Sequence, residues 1–267
     1  MAYLVTGGTG LIGSRIVRDL VREGDQAVVY DWLPARSSLE RLMSEEEINS
    51  IVKIVQGDVT DSPLIFRTIK ENNVEKIIHT AALLTLEANE NPLSAVKVNC
   101  EGTICVFEAA RILNLKKVVW SSSNSIFGPP EMYPEEYIPN DAPHYPQNIY
   151  GATKSFDEVL ADYYFDRYGV DVTGIRYMHV YGVGQHRGIF ATIVRELVYN
   201  PALGKPGRVP YDDAVIGWSY VDDPARATVM ASRVPRTKTR NFSIMGDVHS
   251  LKEVAEYVRK IDRKSVV

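Results

Sequence analysis

The strongest constraint on this chain stands at its start. An apolar run at positions 3–6 feeds directly into Thr6-Gly7-Gly8-Thr9-Gly10-Leu11-Ile12-Gly13, and a helical pattern follows over 10–23. Glycines spaced three and three between a strand and a helix have separate physical uses. Gly7 allows the tight turn, Gly10 lets the backbone approach a pyrophosphate, and Gly13 lets helix and strand pack closely. The helix N-terminus adds free N–H groups and the positive end of its dipole. Gly7, Gly10, Leu11, Ile12 and Gly13 are therefore the expected cradle of a dinucleotide.

The first 180 residues keep alternating in the same way. Short apolar runs at 26–31, 52–56, 76–79, 117–121 and 172–177 alternate with helical stretches at 37–49, 62–72, 92–113 and 148–168. The runs show little period-2 alternation, as strands buried on both faces do. An α/β fold follows, a doubly wound parallel sheet of the Rossmann-like kind. The 148–168 helix carries Ile149, Phe156, Val159, Leu160 and Tyr163 close to an i, i+3/i+4, i+7 stripe. Beyond about residue 180, Gly182, Gly184, Gly188, Pro201, Gly204, Pro206 and Gly207 break the pattern, and shorter elements follow at 189–199, 218–221, 224–232, 241–244 and 251–261. Residues 1–180 are read as a dinucleotide-binding domain. Residues 181–267 are read as a small irregular substrate lobe, interleaved with it and closing over the sheet's carboxyl edge.

Composition narrows the partners. Hydrophobic residues make up 45% of the chain and charged residues 24%, with a formal net charge of −4. No basic surplus points to nucleic acid or to an anionic membrane. No apolar run reaches the roughly 18 residues of a membrane span, and the start lacks the basic and long apolar regions of a signal peptide. Cys100 and Cys105 are too few for a disulfide framework and have no zinc-site spacing. They read as buried thiols in a reducing compartment. A cytoplasmic protein without a metal centre is expected.

The second run ends in Tyr30-Asp31. A carboxylate there accepts hydrogen bonds from an adenosine ribose and repels a 2′-phosphate, so NAD is favoured over NADP. Arg36, five residues on, is the group that could admit a 2′-phosphate.

The fifth run ends in Ser121-Ser122-Ser123, and Tyr150-Gly-Ala-Thr-Lys154 opens the long helix. Tyr and Lys at i and i+4 share one helix face, so a phenol and an ammonium point to one place. The chemistry needs the pair. A phenol of reference pKa near 10 is a poor base at neutral pH, and a close cation in a partly dry site supplies the roughly 4 kcal/mol that a three-unit depression takes. A serine at a strand's carboxyl end lies where α/β sheets bind ligands.

With TGxxGxxG at the start, SSS after the fifth strand and YxxxK on the helix, the chain resembles the extended short-chain dehydrogenases/reductases. Within them it resembles the NAD-dependent epimerase/dehydratase family over nearly its whole length, most specifically to about residue 185. The resemblance implies a Ser-Tyr-Lys triad. Ser123 orients the substrate oxygen, with Ser125 its competitor for that role. Tyr150 exchanges the hydroxyl proton, and Lys154 also holds the nicotinamide ribose. It implies adenine contacts at Asp58 and Val59, backbone beside the cofactor at Ala81 and Ala82, Asn99 supporting the loop after the fourth strand, and a cofactor contact at Met178. Ser125, His179 and Arg187 are the implied substrate residues.

Several positions depart from the family pattern. Phe127 replaces a Tyr, His179 an Asn, Leu84 the Lys of many 4-epimerases, and Ile216 the Arg that grips a nucleotide diphosphate; Arg187, Arg195 and Arg208 remain as anion partners. Asn124-Ser125 stands where dehydratases carry Asp-Glu, which disfavours dehydration. The expected function is NAD-dependent hydride transfer at a secondary alcohol or ketone of a sugar-like substrate, by an epimerase or a dehydrogenase. The alternatives are threonine-dehydrogenase-like oxidation of a small hydroxy acid or amino acid, and a non-catalytic dinucleotide-sensing module. The resemblance also implies a homodimer through the 92–113 and 148–168 helices, with Val106, Phe107, Leu160 and Tyr164 as the apolar residues compatible with it. His144, His186, His249, Asp222-Asp223 and Glu45-Glu46-Glu47 are read as structural or solvated.

Overall fold

Alternate residues of the opening strand decide the layering. In β1 (Ala2–Thr6), Tyr3 and Val5 pack to one face and Leu4 to the other, all fully buried. The computed structural model describes residues 1–51, 53–134, 137–208 and 213–261; position 52, expected to open the third strand, lies outside them. From β1 the chain passes through α1 (Leu11–Arg22), β2 (Gln26–Asp31), α2 (Arg36–Glu40), α3 (Glu45–Ile51), β3 (Lys53–Gln56), α4 (Ser62–Glu71), β4 (Lys76–His79) and α5 (Thr85–Glu90). It continues through α6 (Pro92–Ala95), a π turn at Val96–Glu101, α7 (Gly102–Ile112), β5 (Lys117–Ser123), α8 (Ile149–Tyr168), β6 (Val172–Tyr177) and β7 (His179–Tyr181). The last described elements are α9 (Ile189–Val194), a π turn at Arg195–Tyr199, α10 (Asn200–Ala202), β8 (Val215–Tyr220), α11 (Asp222–Ala231), β9 (Asn241–Ser243), β10 (Asp247–Ser250) and α12 (Leu251–Ile261).

The main sheet has seven strands in the order β3-β2-β1-β4-β5-β6-β9, every pair parallel. This is the expected doubly wound architecture. The chain winds outward from β1 to β3 and then returns to β4 on the other side of β1. That reversal opens a crevice at the carboxyl ends of β1 and β4. Apolar layers cover both faces. Ile16, Val17 and Leu20 of α1 lie with Ala225 and Val229 of α11 on one side, and Ile65, Val106, Phe107 and Tyr164 lie on the other. β10, β8 and β7 form a second, three-stranded sheet. α11 is tied to α1 by Arg18 to Asp222 at 3.0 Å, and β9 extends the main sheet, so chain beyond residue 220 returns to the first body.

Four local expectations come out differently. The 37–49 helix is two helices, because Ser44 and Glu47 make a reciprocal capping box that starts α3 (Ser44 N to Glu47 Oε2, 2.6 Å; Glu47 N to Ser44 Oγ, 3.2 Å). The 92–113 helix is continuous but carries the π turn, which rotates Asn99 inward. The stripe on α8 faces outward: Phe156 is 46% exposed, Val159 68% and Tyr163 53%. Thr153, Lys154, Asp157, Glu158, Ala161 and Tyr164 face the sheet instead. Val106, Phe107 and Tyr164, assigned to a dimer face, are buried inside the subunit, where Phe107 packs edge-on to Trp120.

Candidate active site

The glycine loop is built by contacts that exclude side chains. Gly7 adopts φ +65°, and a Cβ there would stand 2.8 Å from Ala81 N; a Cβ on Gly13 would collide with the Gly7 carbonyl. Gly7 N donates to Tyr30 O and Gly10 N to Gly7 O, each at 2.9 Å. α1 begins at Gly10 with no side-chain cap and no acid in its first turn, so Leu11 and Ile12 present their N–H groups outward from the loop. Close glycine backbone, uncapped donors and a carboxylate at the end of β2 are the donor and acceptor set a dinucleotide requires. The residues present fit that group.

Asp31 is already engaged on both oxygens. Oδ2 accepts from Thr9 N (3.1 Å) and Thr9 Oγ1 (2.7 Å), and Oδ1 accepts from Leu33 N (3.3 Å). An ionised carboxylate has about four lone-pair sites, so acceptor capacity remains for a ribose hydroxyl. Arg36 turns away, pairing with Glu40 (3.0 Å) and Glu45 (2.5 Å). Asp58 Oδ1 accepts from Thr60 N and Thr60 Oγ1, both at 2.9 Å, which fixes the turn after β3. The Val59 side chain is in the core against Gly102, which leaves its backbone for any contact.

Beyond β4, Thr80-Ala81 lies against Gly7, and Ala82 follows on the same partly exposed loop. Asn99 pins this loop to α8: Leu83 N donates to its Oδ1 (2.8 Å), and its Nδ2 donates to Leu83 O (3.1 Å) and Thr153 Oγ1 (3.0 Å). His79 sits beneath, fully buried between Thr6 Oγ1 (2.6 Å) and Thr103 Oγ1 (3.1 Å). Thr103 gives its only hydroxyl proton to Asn99 O at 2.5 Å, so His79 donates from Nε2 and accepts at Nδ1. Burial pushes the His79 imidazole down to about 3, which keeps it neutral.

Ser123, 6% exposed at the end of β5, accepts from Ser125 N (3.1 Å), and among the described residues its own O–H has no acceptor. The Ser125 carbonyl abuts Gly151, and Asn148 caps α8 through Gly151 N (2.8 Å), which seats Tyr150 beside the serine turn. Lys154 is fully buried, with Nζ 5.9 Å from the Tyr150 ring centroid and 5.5 Å from that of Trp120. The Ser123–Ser125 turn thus lies against the first turn of α8, the helix that carries Tyr150 and Lys154.

Other residues missed from the sequence brace this place. Glu158 accepts from Arg176 Nε (2.8 Å), Arg176 Nη2 (2.7 Å) and Ser122 Oγ (2.5 Å), with His144 Nε2 at 3.4 Å. Burial opposes this carboxylate, yet the Arg176, His144 and Ser122 partners hold it down to about 2. Arg176 also donates to Asn140 O (2.6 Å) and lies over the Phe127 ring, so the pair anchors the segment between Ser123 and Tyr150. The available signal was spacing: Asp157 and Glu158 stand three and four residues after Lys154.

The lobe residues are placed differently from one another. Arg187 pairs with Glu87 of α5 at 2.9 Å. His179 is exposed on β7 with its ring 5.1 Å from Phe190. The Met178 side chain covers Gly217. A cleft of about 420 Å³ beside the lobe is lined by Arg41, Gly184, His186, Arg195 and Tyr199.

A family model described as the NAD dependent epimerase/dehydratase family matches residues 3–244. A UDP-glucose 4-epimerase of Lactobacillus helveticus is 32% identical over 190 residues, 71% of this chain and 54% of that protein, so the chain spans about half of that relative's length. Among solved structures, a Thermus thermophilus UDP-glucose 4-epimerase in complex with NAD matches with TM-score 0.84 and 27% identity, over 100% of this chain and 85% of that one. An L-threonine dehydrogenase from Phytophthora infestans matches with TM-score 0.86 and 27% identity, over 99% of this chain and 83% of that one.

Proposed function

The chain belongs to the NAD-dependent epimerase/dehydratase family, and from that premise we propose that it transfers hydride between NAD and a secondary alcohol or ketone of a sugar-like substrate. The observation that carries this reading is the fully buried Lys154, its Nζ 5.9 Å from the Tyr150 ring centroid, on the helix whose first turn abuts the Ser123–Ser125 segment. NAD, when bound, supplies the hydride acceptor; Gly7, Gly10, Leu11, Ile12, Gly13 and Asp31 are the residues to hold it. Ser123 donates its free O–H to the substrate oxygen and orients it. Tyr150 takes or returns the hydroxyl proton at its phenol oxygen, and Lys154 supplies the positive charge that favours the phenolate. Asp31 ends β2 beside the glycine loop while Arg36 is paired with Glu40, which supports NAD over NADP.

The test is substitution at the pair. Tyr150→Phe abolishes turnover with dinucleotide affinity nearly intact, whereas Lys154→Ala damages both. Ser123→Ala costs a hydrogen bond of roughly 1.5–3 kcal/mol, about 10- to 150-fold in rate. Parental activity in Tyr150→Phe sinks the assignment. Retained NAD, assayed after denaturing freshly purified protein, separates the two modes: stoichiometric cofactor marks an epimerase, and none marks a dehydrogenase. The second reading, oxidation of a small hydroxy amino acid, is favoured by the likeness to the Phytophthora infestans threonine dehydrogenase. It predicts NADH formation with threonine-like substrates and none with nucleotide sugars.

The outward stripe of α8 supports a homodimer. Phe156, Val159 and Tyr163 are exposed on it, with Leu93 (81%) and Val96 (51%) exposed on the helix run before α7. Apolar rows on two neighbouring helices are what a helix-pair interface buries. Among the described residues no helix is long and apolar enough to cross a membrane. Cys100 and Cys105 are free and buried, which fits a reducing cytoplasm.

A further inference from the structure

Two adjacent acids on α8 are treated in opposite ways. Glu158 closes its hydrogen bonds around Arg176. Asp157, equally buried, stands 3.6 Å from Lys154 Nζ, longer than a charge-assisted hydrogen bond. Among the described residues, Lys154 Nζ and Asp157 Oδ1 both lack a hydrogen-bond partner. Thr103 Oγ1 lies 3.4 Å from Asp157 Oδ2, but its one hydroxyl proton makes the shorter bond to Asn99 O. A buried pair that served stability alone would be satisfied on both sides. This one is left open on both sides, with its Lys154 Nζ 5.9 Å from the Tyr150 ring centroid.

We infer that Asp157 is a positioning residue for the reaction: by gaining or losing a proton it sets how much of the Lys154 charge acts on Tyr150. This rests on the Tyr150–Lys154 reading above. With Asp157 neutral, the pair presents a full positive charge to the phenol; with Asp157 ionised, the pair is nearly neutral. The groups facing it hold their protonation states across the neutral range. His79 from β4 is neutral, Cys100 from the π turn is a thiol pushed up to about 12 by burial, and Glu158 is an anion bound to Arg176. Burial, only partly offset by Lys154, raises the Asp157 carboxyl to about 7, so its proton is exchanged where an enzyme works. A unit charge at the 5.9 Å that separates Lys154 Nζ from the Tyr150 ring shifts a titration by about two pH units at an effective dielectric near 20. Because Asp157 Oδ2 is 3.6 Å from that Nζ, an ionised carboxylate there cancels more than half of that.

The experiment follows Tyr150 itself, in the full chain without added cofactor. Protein is labelled at tyrosine Cζ, and the Tyr150 carbon signal is assigned by its loss in Tyr150→Phe and titrated by NMR. In Asp157→Asn the phenol ionises at least about one pH unit lower than in the parent, and a small inflection near neutrality, expected of the parent, disappears. Asp157→Glu keeps the charge and the parental behaviour. Should Asp157→Asn fail to fold, Asp157→Ser removes the same charge and is titrated identically. A Tyr150 titration at the parental pH or higher in the uncharged variant overturns the inference. Activity retained by Tyr150→Phe would instead overturn the catalytic reading, so the two failures are distinct.

Discussion

Replacing Glu158 by Gln tests the brace behind the serine turn. The carboxylate is 2.7 and 2.8 Å from two Arg176 nitrogens and 2.5 Å from Ser122 Oγ, and both charged side chains are 3% exposed. Gln keeps the shape, removes the charge and turns an amide donor toward cations or hydroxyls. Its partner guanidinium is then buried without a counter-charge, a change that costs about 3–5 kcal/mol. The titration leads to the same range. A carboxyl held down to about 2, against an ordinary glutamate near 4.3, is worth about 3 kcal/mol at neutral pH. Because the folded value is depressed, this stability is present above about pH 4.3 and is lost as pH falls through 2. Urea denaturation of parent and Glu158→Gln at pH 7 should therefore differ by about 3 kcal/mol with equal slopes, and the gap should close toward pH 2. Glu158→Leu combined with Arg176→Met should cost less than Glu158→Gln alone, since no buried charge is stranded. A gap below about 1 kcal/mol at pH 7, or one unchanged at pH 3, would refute the reasoning.

Three further outcomes follow from the cradle and the outer stripe. Gly13→Ala places a methyl group on the Gly7 carbonyl, so calorimetric titration with NAD should show affinity reduced at least about tenfold and stability lowered by about 1–3 kcal/mol; unchanged affinity would mean the loop does not hold the cofactor. Asp31→Ala should narrow the preference for NAD over NADP while freeing Thr9, and a parent protein that binds both equally would sink that reading. Val159→Lys, at a position 68% exposed, should shift sedimentation at micromolar concentration from dimer to monomer without lowering Tm; a parent that sediments only as monomer rejects the dimer.

The sequence by itself determined whatever depends on neighbours along the chain. Glycines at 7, 10 and 13 demand a backbone that side chains would block, apolar runs without alternation demand strands covered on both faces, and Tyr150 and Lys154 share a helix face through helical geometry alone. These rules are local, so the doubly wound sheet and the shared helix of Tyr150 and Lys154 were legible in the sequence. Only the tertiary structure decided which way each face turns. The apolar stripe of α8 points outward and its polar row inward, because Trp120 and Arg176 on the sheet supply partners for Lys154 and Glu158. The same holds for Arg187, drawn to Glu87 at a distance of 100 positions, and for Met178, laid over Gly217. Periodicity says which residues travel together on a helix or strand. Their burial depends on charges and shapes brought from distant parts of the chain, and no spacing rule carries that information.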